Sequence, residues 1–162
     1  MSEVFLLDPE ISASERRPTE VLGSQGEALA TNFLIESGYR IVMANFKVPV
    51  GRNGRGAQVT GEIDLIALDG ETLCFVEVKT RRSEAFTPVI TAIDRRKQRQ
   101  ITRTAKVYRR LFGVFEMPYR FDAVTVLMAP GCEPQIELIR GLWSESQFRK
   151  RSWNYEAWQD HF

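Results

Sequence analysis

The sequence contains very few of the side chains that most nucleophilic and metal-dependent active sites use. Its only histidine is His161, and its only cysteines are Cys74 and Cys132. These counts argue against a Ser–His–Asp triad, a Cys–His pair and a multi-histidine metal site. Two cysteines also cannot form a four-thiolate zinc site or a disulfide framework. If the protein is an enzyme, carboxylates and lysines must carry its chemistry.

Long hydrophobic runs are missing as well. No stretch approaches the ~18–20 apolar residues that a membrane-spanning helix needs, so we expect no membrane partner and a location in the reducing cytoplasm. The chain has 162 residues, of which 43% are hydrophobic and 27% charged, a composition typical of one soluble globular domain. We predict an irregular arm over residues 1–18, a single domain over 19–141, and an aromatic and basic extension over 142–162.

The net charge of +1 conceals an uneven distribution of charge along the chain. Between Lys79 and Arg110 there are eleven Lys and Arg residues against only Glu84 and Asp94, and the rest of the chain is net acidic. Such an asymmetry predicts a basic face built from one stretch of chain. Nucleic acid is the obvious partner for that face, and a solvated basic helix without a partner is the alternative.

The hydrophobic pattern predicts an α/β fold with the element order α-β-β-β-α-β-β. A first helix, with Leu29, Phe33 and Leu34 on one face, ends before Gly38, a residue typical of helix C-termini. β-Branched and aromatic runs predict strands at 39–50, 59–68, 73–80, 120–128 and 135–139, and a second helix is predicted at about 92–112. This order predicts a mixed five-stranded sheet flanked by helices.

The second and third strands carry acidic residues in an otherwise apolar setting. If the turn between them consists of the four residues Asp69 to Thr72, apolar residues oppose apolar ones and polar residues oppose polar ones. The pairs would then be Leu68 with Leu73, Ile66 with Phe75, Asp64 with Glu77, and Glu62 with Lys79. A side-chain period of two places all four residues of each strand on one face.

This register brings two like charges together, because directly opposed Cβ atoms lie roughly 4.5–5.5 Å apart. A cation should therefore sit between Asp64 and Glu77, and both Lys79 and a divalent metal ion are candidates. Oxygen ligands with some water in the shell suit Mg²⁺ or Mn²⁺. The alternative is a cross-strand ladder of surface ion pairs that has no function.

Two segments of the chain carry a family resemblance. The run from Gly61 to Ala67, Gly-Glu-Ile-Asp-Leu-Ile-Ala, and the run from Phe75 to Arg81, Phe-Val-Glu-Val-Lys-Thr-Arg, resemble the uncharacterised bacterial YraN family. Further matches are Gly26-Glu27, Ala30, Phe33-Leu34, Gly38-Tyr39, Asn45-Phe46, Lys97 and Arg120-Phe121-Asp122. That family is similar to the PD-(D/E)xK nuclease superfamily, so the resemblance implies a restriction-endonuclease-like or Holliday-junction-resolvase-like fold.

The resemblance also implies roles for individual residues. Asp64 and Glu77 would hold a Mg²⁺ or Mn²⁺ ion together with the Val78 carbonyl, and Lys79 would hold or polarise the attacking water. Glu27 would match an acidic residue found on the first helix of resolvase-like members. For Glu27 a second interpretation is open, because Ser24-x-x-Glu27 has the pattern of a helix capping box.

The second helix supplies the predicted basic face. Its cations are Arg95, Arg96, Lys97, Arg99, Arg103, Lys106, Arg109 and Arg110. No acidic residue follows Asp94 on this helix, whereas a helix stabilised by its own ion pairs would include acidic partners. We therefore expect phosphate contacts. In the extension, aromatic residues beside Arg149-Lys150-Arg151 could stack on unpaired bases, but packing against the domain or a second subunit is favoured, which leaves a homodimer open.

Three hypotheses for function follow. The first is a metal-dependent endonuclease acting on branched, damaged or single-stranded DNA, with RNA as an alternative substrate. The second is a non-catalytic nucleic-acid-binding module of the same fold. The third is a structural protein whose basic helix docks on an acidic protein partner.

Overall fold

The computed structural model describes residues 17–83 and 93–149. Its elements in chain order are α1 (Pro18–Glu36), β1 (Arg40–Arg52), β2 (Gln58–Asp69), β3 (Thr72–Arg81), α2 (Arg95–Leu111), β4 (Tyr119–Leu127), β5 (Gln135–Trp143) and a 3₁₀ turn (Glu145–Phe148). The predicted order α-β-β-β-α-β-β is confirmed. In the described part of the chain, neither helix is long and apolar enough to cross a membrane.

The five strands form one mixed sheet in the spatial order β1-β2-β3-β4-β5. Strands β1, β2 and β3 form an antiparallel meander, while β3 and β4 run parallel and β5 returns antiparallel to β4. The parallel pair needs a crossover connection, and α2 lies in it. The result is the flanked five-stranded mixed sheet that the sequence predicts.

Each face of the sheet is covered by one helix. On one face α2 buries Ile101, Ala105 and Tyr108 against a cluster that includes Phe75 and Phe121. On the other face α1 buries Ala30 and Leu34 against the β2, β3 and β4 residues that point that way. Phe112, the C-cap residue of α2, lies largely outside this core, with 51% of its surface exposed.

Helix α1 begins earlier than a capping box at Ser24 would require. Pro18 occupies its first turn, where a missing N–H costs nothing, and Arg17 is the N-cap residue. Ser24 therefore lies inside the helix, and its Oγ donates a hydrogen bond to the Val21 carbonyl at 3.0 Å. The capping-box interpretation of Glu27 is wrong, and its carboxylate is left for other contacts.

Helix α2 begins at an Asp94 N-cap, whose carboxylate accepts a hydrogen bond from Lys97 N at 2.7 Å. One residue of the predicted basic face does not point outward. Arg109 is 6% exposed, its guanidinium lies 3.7 Å from the centroid of the Tyr119 ring, and it donates to the Phe115 carbonyl. Arg109 therefore fixes the turn after α2, and its assignment to the phosphate-binding face is corrected.

Strand β5 continues to Trp143, past its predicted end at residue 139 and past the predicted domain boundary at residue 141. The Trp143 ring stacks on Phe121 with 4.9 Å between centroids, and its Nε1 donates to Thr102 Oγ1. The first two residues of the predicted extension, Leu142 and Trp143, are thus part of the sheet. The arm up to residue 16 and the extension from residue 150 lie outside the described residues.

A buried ionic network joins β4 to the residue just before β1 and to the last residue of β2. Asp122, which has no exposed surface, accepts hydrogen bonds from Arg120 Nε at 2.7 Å and from Gly141 N at 2.9 Å. Arg120 also donates to Asp69 and to the Tyr39 hydroxyl. The hydrogen bond from Arg120 to Asp122 raises the pKa of Arg120 further above its usual range.

Candidate active site

The site lies where β2 and β3 separate. Next to the turn the two strands pair as predicted, with Leu68 opposite Leu73 and Ile66 opposite Phe75. This ladder stops at the pair Leu65–Val76, while β3 continues alongside β4 as far as Arg81. The two strands thus diverge at the position where the sequence predicts Asp64 to oppose Glu77.

Asp64 bridges the gap between the diverging strands. Its Oδ2 accepts a hydrogen bond from Val78 N at 2.8 Å, so the carboxylate takes the place of a missing strand partner. Burial first, and then the nearby charge of Glu77, raise the pKa of Asp64 from 3.8 to about 7. The charge of Glu77 can act on Asp64 in this way only if the two carboxyl groups lie close to each other.

Glu77 is the most buried acid of the site, with 2% of its surface exposed. Its Oε1 lies 3.1 Å from Lys79 Nζ and 3.4 Å from Lys97 Nζ. Its Oε2 is buried and has no hydrogen-bond partner. A buried carboxylate oxygen without a partner is costly, so this atom points to a missing cation or proton.

Lys97 is a site residue that sequence reasoning assigned to a different role. The sequence predicts a phosphate contact on the basic face, but the structure places its ammonium on Glu77, and 30% of its side chain is exposed. The first turn of α2 starts beside the end of β3, which brings position 97 within reach of position 77. Glu77 therefore contacts two lysines, Lys79 and Lys97, whereas the sequence predicted only Lys79 as a lysine partner.

Glu27 approaches the same site from α1. The approach is close because Gly26 packs on β3: a Cβ at Gly26 would lie 1.7 Å from Thr80 Oγ1. Burial raises the pKa of Glu27, and the nearby charge of Asp64 raises it further. Glu27 therefore lies near Asp64, and Lys79 is in direct contact with Glu77.

Glu62 does not take the predicted partner. It forms an exposed ion pair with Lys47 of β1 at 3.2 Å, and not with Lys79. The prediction assumed unbroken pairing of β2 with β3, whereas at this position β2 pairs with β1 alone. The proposed ladder of ion pairs along the β2–β3 hairpin is therefore not formed.

The remaining cations of the predicted phosphate-binding face lie on the exposed side of α2. These are Arg95, Arg96, Arg99, Arg103, Lys106 and Arg110. Two of them lie near aromatic rings: Arg99 is 5.6 Å from the centroid of Phe148, and Arg110 is 6.0 Å from that of Phe115. The exposed face of α2 therefore has one sign of charge, and it begins beside Lys97 at the site.

The donor set fits a hard divalent cation. Within residues 17–83 and 93–149, no three His, Cys, Asp or Glu side chains are grouped as metal ligands. Asp64 and Glu77 form a pair of carboxylates with one unpartnered buried oxygen. Mg²⁺ is usually held by one or two carboxylates, its own waters and substrate phosphates, so a pair of acids is sufficient.

Comparisons with known proteins define the family of this chain. The family described as "Uncharacterised protein family UPF0102" matches residues 26–126. The chain belongs to this family. It is the YraN family that the sequence resembles, a member of the restriction-endonuclease-like superfamily. The matched residues of this UPF0102 chain contain the whole site from Glu27 to Lys97 and end before the extension.

Relatives of similar length support this membership. A UPF0102 protein of Renibacterium salmoninarum is 43% identical over 121 residues, which cover 75% of this chain and 94% of that protein. A UPF0102 protein of Geotalea uraniireducens is 38% identical over 128 residues, which cover 79% of this chain and 93% of that protein.

A solved structure described as "Crystal structure of SSO0001" aligns with 81% of this chain and 56% of that one at 17% identity, with a TM-score of 0.38.

Proposed function

We propose that this UPF0102 protein is a metal-dependent endonuclease that hydrolyses phosphodiesters in structured or single-stranded DNA. The observation that carries the proposal is the buried, unpartnered Oε2 of Glu77 beside the carboxyl group of Asp64. A purely structural ion-pair cluster would leave no such oxygen, because an unsatisfied buried charge destabilises a fold. A Mg²⁺ or Mn²⁺ ion held by Asp64, Glu77 and the Val78 carbonyl would satisfy it.

Each side chain has a part in such a reaction. A bound Mg²⁺ supplies Lewis-acid polarisation of the phosphate and lowers the pKa of a bound water. Lys79 lies at the mouth of the site with 34% of its side chain exposed, where its ammonium can orient the attacking water. Lys97 lies beside it, so two cations are available to stabilise negative charge that develops on the phosphate.

The exposed cations of α2 provide the proposed contact with the nucleic-acid backbone. Phosphate contacts of this kind position the substrate without reading its sequence. Because the basic face begins next to Lys97, a strand bound along α2 would lead directly to the candidate active site. This proximity supports a role in substrate binding for Arg95, Arg96, Arg99 and Arg103.

A second candidate is a non-catalytic binding module of the same fold. It is favoured by the two ammonium groups on Glu77 Oε1, which already neutralise that carboxylate without a metal. The third hypothesis, docking on an acidic protein, uses the basic face alone. Only the first hypothesis predicts cleavage, and the second and third differ in whether the protein binds DNA.

The test is metal-dependent cleavage of single-stranded, duplex, nicked, flapped and four-way-junction DNA, with EDTA as the metal-free control. We expect Asp64→Ala and Glu77→Ala to abolish cleavage while DNA binding persists, and Lys79→Ala to reduce the rate more than the metal affinity. Glu62→Gln on the same strand is the matched control, because its ion pair with Lys47 is exposed. Cleavage that survives in the double mutant of Asp64 and Glu77 would show that the activity arises elsewhere.

A further inference from the structure

The hairpin formed by β1 and β2 extends past the candidate active site. Its two strands stay paired as far as Arg52 and Gln58, whereas the pairing of β2 with β3 stops at Leu65. Strand β2 leads from Asp64 away from the site as far as Gln58, which places the outer end of the hairpin roughly 20 Å from the site. We call residues 48–61 of this hairpin the ribbon.

Helix α2 supports the base of the ribbon. Gln100 Nε2 donates a hydrogen bond to the Thr60 carbonyl at 3.0 Å. A Cβ at Gly61 would lie 2.0 Å from Thr104 Oγ1, so the missing side chain allows the helix to pack directly on the strand. Arg103 shares the side of α2 that carries Gln100, because residues three apart on a helix are neighbours. The basic face of α2 therefore runs alongside the ribbon.

The tip of the ribbon is held in one shape by its own hydrogen bonds. The Asn53 side-chain oxygen accepts from Arg55 N and from Ala57 N, both at 3.0 Å. Arg52 Nη1 donates to the Gly56 carbonyl at 2.7 Å. The Arg55 side chain is exposed and makes no hydrogen bond or ion pair within the described part of the chain. A tip that is already ordered loses little backbone entropy when it binds a partner.

The ribbon carries one sign of charge and no aromatic side chain. Residues 48–61 include Arg52 and Arg55 but no acidic residue. Positive charge without acids indicates a polyanionic partner. Surfaces that hold unpaired nucleotides combine cations with aromatic rings on which the bases stack, and the ribbon has no such ring. Its composition therefore favours the phosphates of a duplex over a single strand.

We propose that the ribbon is a second DNA-binding element, which contacts double-stranded DNA beside the candidate active site; this inference rests on the DNA contacts in the proposed function. A two-stranded β-ribbon is narrow enough to enter the major groove of B-DNA. The roughly 20 Å from the site to the tip corresponds to about six base pairs at 3.4 Å each. The substrate then includes a duplex segment of at least this length next to the site.

Arg55→Ala tests the ribbon, and Arg40→Ala is its matched control. Arg40 is exposed at the opposite end of β1, so its replacement removes the same charge from the other end of the same hairpin. Neither change removes a buried group, so both variants should melt close to the wild-type temperature. A difference in DNA binding between them then reports the place of the charge and not the stability of the fold.

The measurement is fluorescence anisotropy in EDTA, with a blunt duplex and with each of its single strands. One phosphate contact on duplex DNA contributes about −0.9 to the slope of log affinity against log salt, which amounts to about eightfold at 0.1 M salt relative to 1 M. We expect Arg55→Ala to weaken duplex binding about eightfold at 0.1 M salt and to reduce the slope by about 0.9. Its affinity for the single strands, and all affinities of Arg40→Ala, should stay at the wild-type value.

The possible results separate this inference from the proposed function. Wild-type affinity of Arg55→Ala for the duplex would overturn the inference, as would an equal loss on the single strands or an equal loss in Arg40→Ala. A wild-type protein that binds none of these DNAs would overturn the proposed function together with the inference. If the protein binds duplex through Arg55 but cleaves no DNA with Mg²⁺ or Mn²⁺, the proposed nuclease activity alone is refuted.

Discussion

Replacing Asp64 by asparagine should stabilise the metal-free protein. The Asp64 carboxylate is partly buried beside Glu77, and these surroundings raise its pKa from 3.8 to about 7. The unfolded chain therefore loses this proton near pH 4, whereas the folded protein keeps it until about pH 7. Asparagine keeps the shape, its carbonyl can still accept from Val78 N, and its amide can donate to the unpartnered Oε2 of Glu77.

The magnitude follows from the displaced pKa. Each pKa unit corresponds to about 1.4 kcal/mol, so ionised Asp64 costs the folded protein at most roughly 4 kcal/mol above pH 7. Part of this cost remains in the variant, because an amide next to Glu77 and two ammonium groups is also desolvated. We expect Asp64→Asn to raise the free energy of unfolding by about 1–3 kcal/mol at pH 8.

The raised pKa of Asp64 also determines how the free energy of unfolding changes with pH. Because the folded protein binds more protons than the unfolded chain between pH 4 and 7, the wild type loses stability as the pH rises through this window. Asp64→Asn has no proton to lose, so its advantage should be small at pH 4, grow up to about pH 7 and then level off. A hydrogen-bonded surface aspartate would show the opposite trend.

The assay is denaturant unfolding of wild type, Asp64→Asn and the control Glu62→Gln at pH 5 and pH 8, with EDTA or Mg²⁺. The control breaks only the exposed pair with Lys47 and should lose about 0.2–1 kcal/mol. Mg²⁺ at ten times its Kd should stabilise the wild type by about 1.4 kcal/mol and leave Asp64→Asn almost unchanged. A less stable Asp64→Asn in EDTA, together with no Mg²⁺ effect on the wild type, would refute the reasoning.

Three further substitutions test other parts of the structure. Gly26→Ala should destabilise the folded protein by about 1–3 kcal/mol in thermal melts, because the added Cβ meets Thr80. Its control, Gly23→Ala in the same helix, faces open space and should stabilise the folded protein by about 0.5–1 kcal/mol. Asp122→Ala leaves Arg120 without its buried partner, so the free energy of unfolding, measured with denaturant, should fall by about 3–5 kcal/mol. A fall of less than about 1 kcal/mol would contradict a structural role for this network. Arg103→Ala should weaken binding to all DNA sequences alike and reduce the slope of log affinity against log salt by roughly 0.7–0.9, measured by fluorescence anisotropy; an unchanged slope would exclude a phosphate contact at this position.

Much of the fold follows directly from patterns in the sequence. The element order is confirmed because β-branched runs, turn residues and the amphipathic second helix are local signals. The register of the β2–β3 hairpin is confirmed next to the turn, since matching Ile66 with Phe75 keeps both side chains in the core. Where the sheet is regular, the two-residue period is a sufficient guide.

The site itself departs from those rules. The pairing of β2 with β3 ends before Asp64, so Glu62 pairs with Lys47 of β1 and not with Lys79. On the neighbouring strand, Asn45 has a left-handed backbone with φ 52° opposite this break. No periodic pattern contains that information, because it arises from pairing between strands. The contact of Lys97 with Glu77 could not be predicted from the sequence either. The periodicity of a helix shows which residues share a face, but it does not show which strand the first turn approaches.

The hydrogen bond from Val78 to Asp64 has a consequence for the history of this fold. Position 64 has two separate reasons to keep a carboxyl or amide oxygen: it could bind a metal, and it completes the backbone pairing of a strand that has lost its neighbour. A relative without the proposed catalysis should therefore still carry Asp or Asn at this position. Lys79, whose ammonium serves only Glu77 and the open mouth of the site, has no such second constraint. Where relatives lack the proposed chemistry, we therefore expect position 79 to change before position 64.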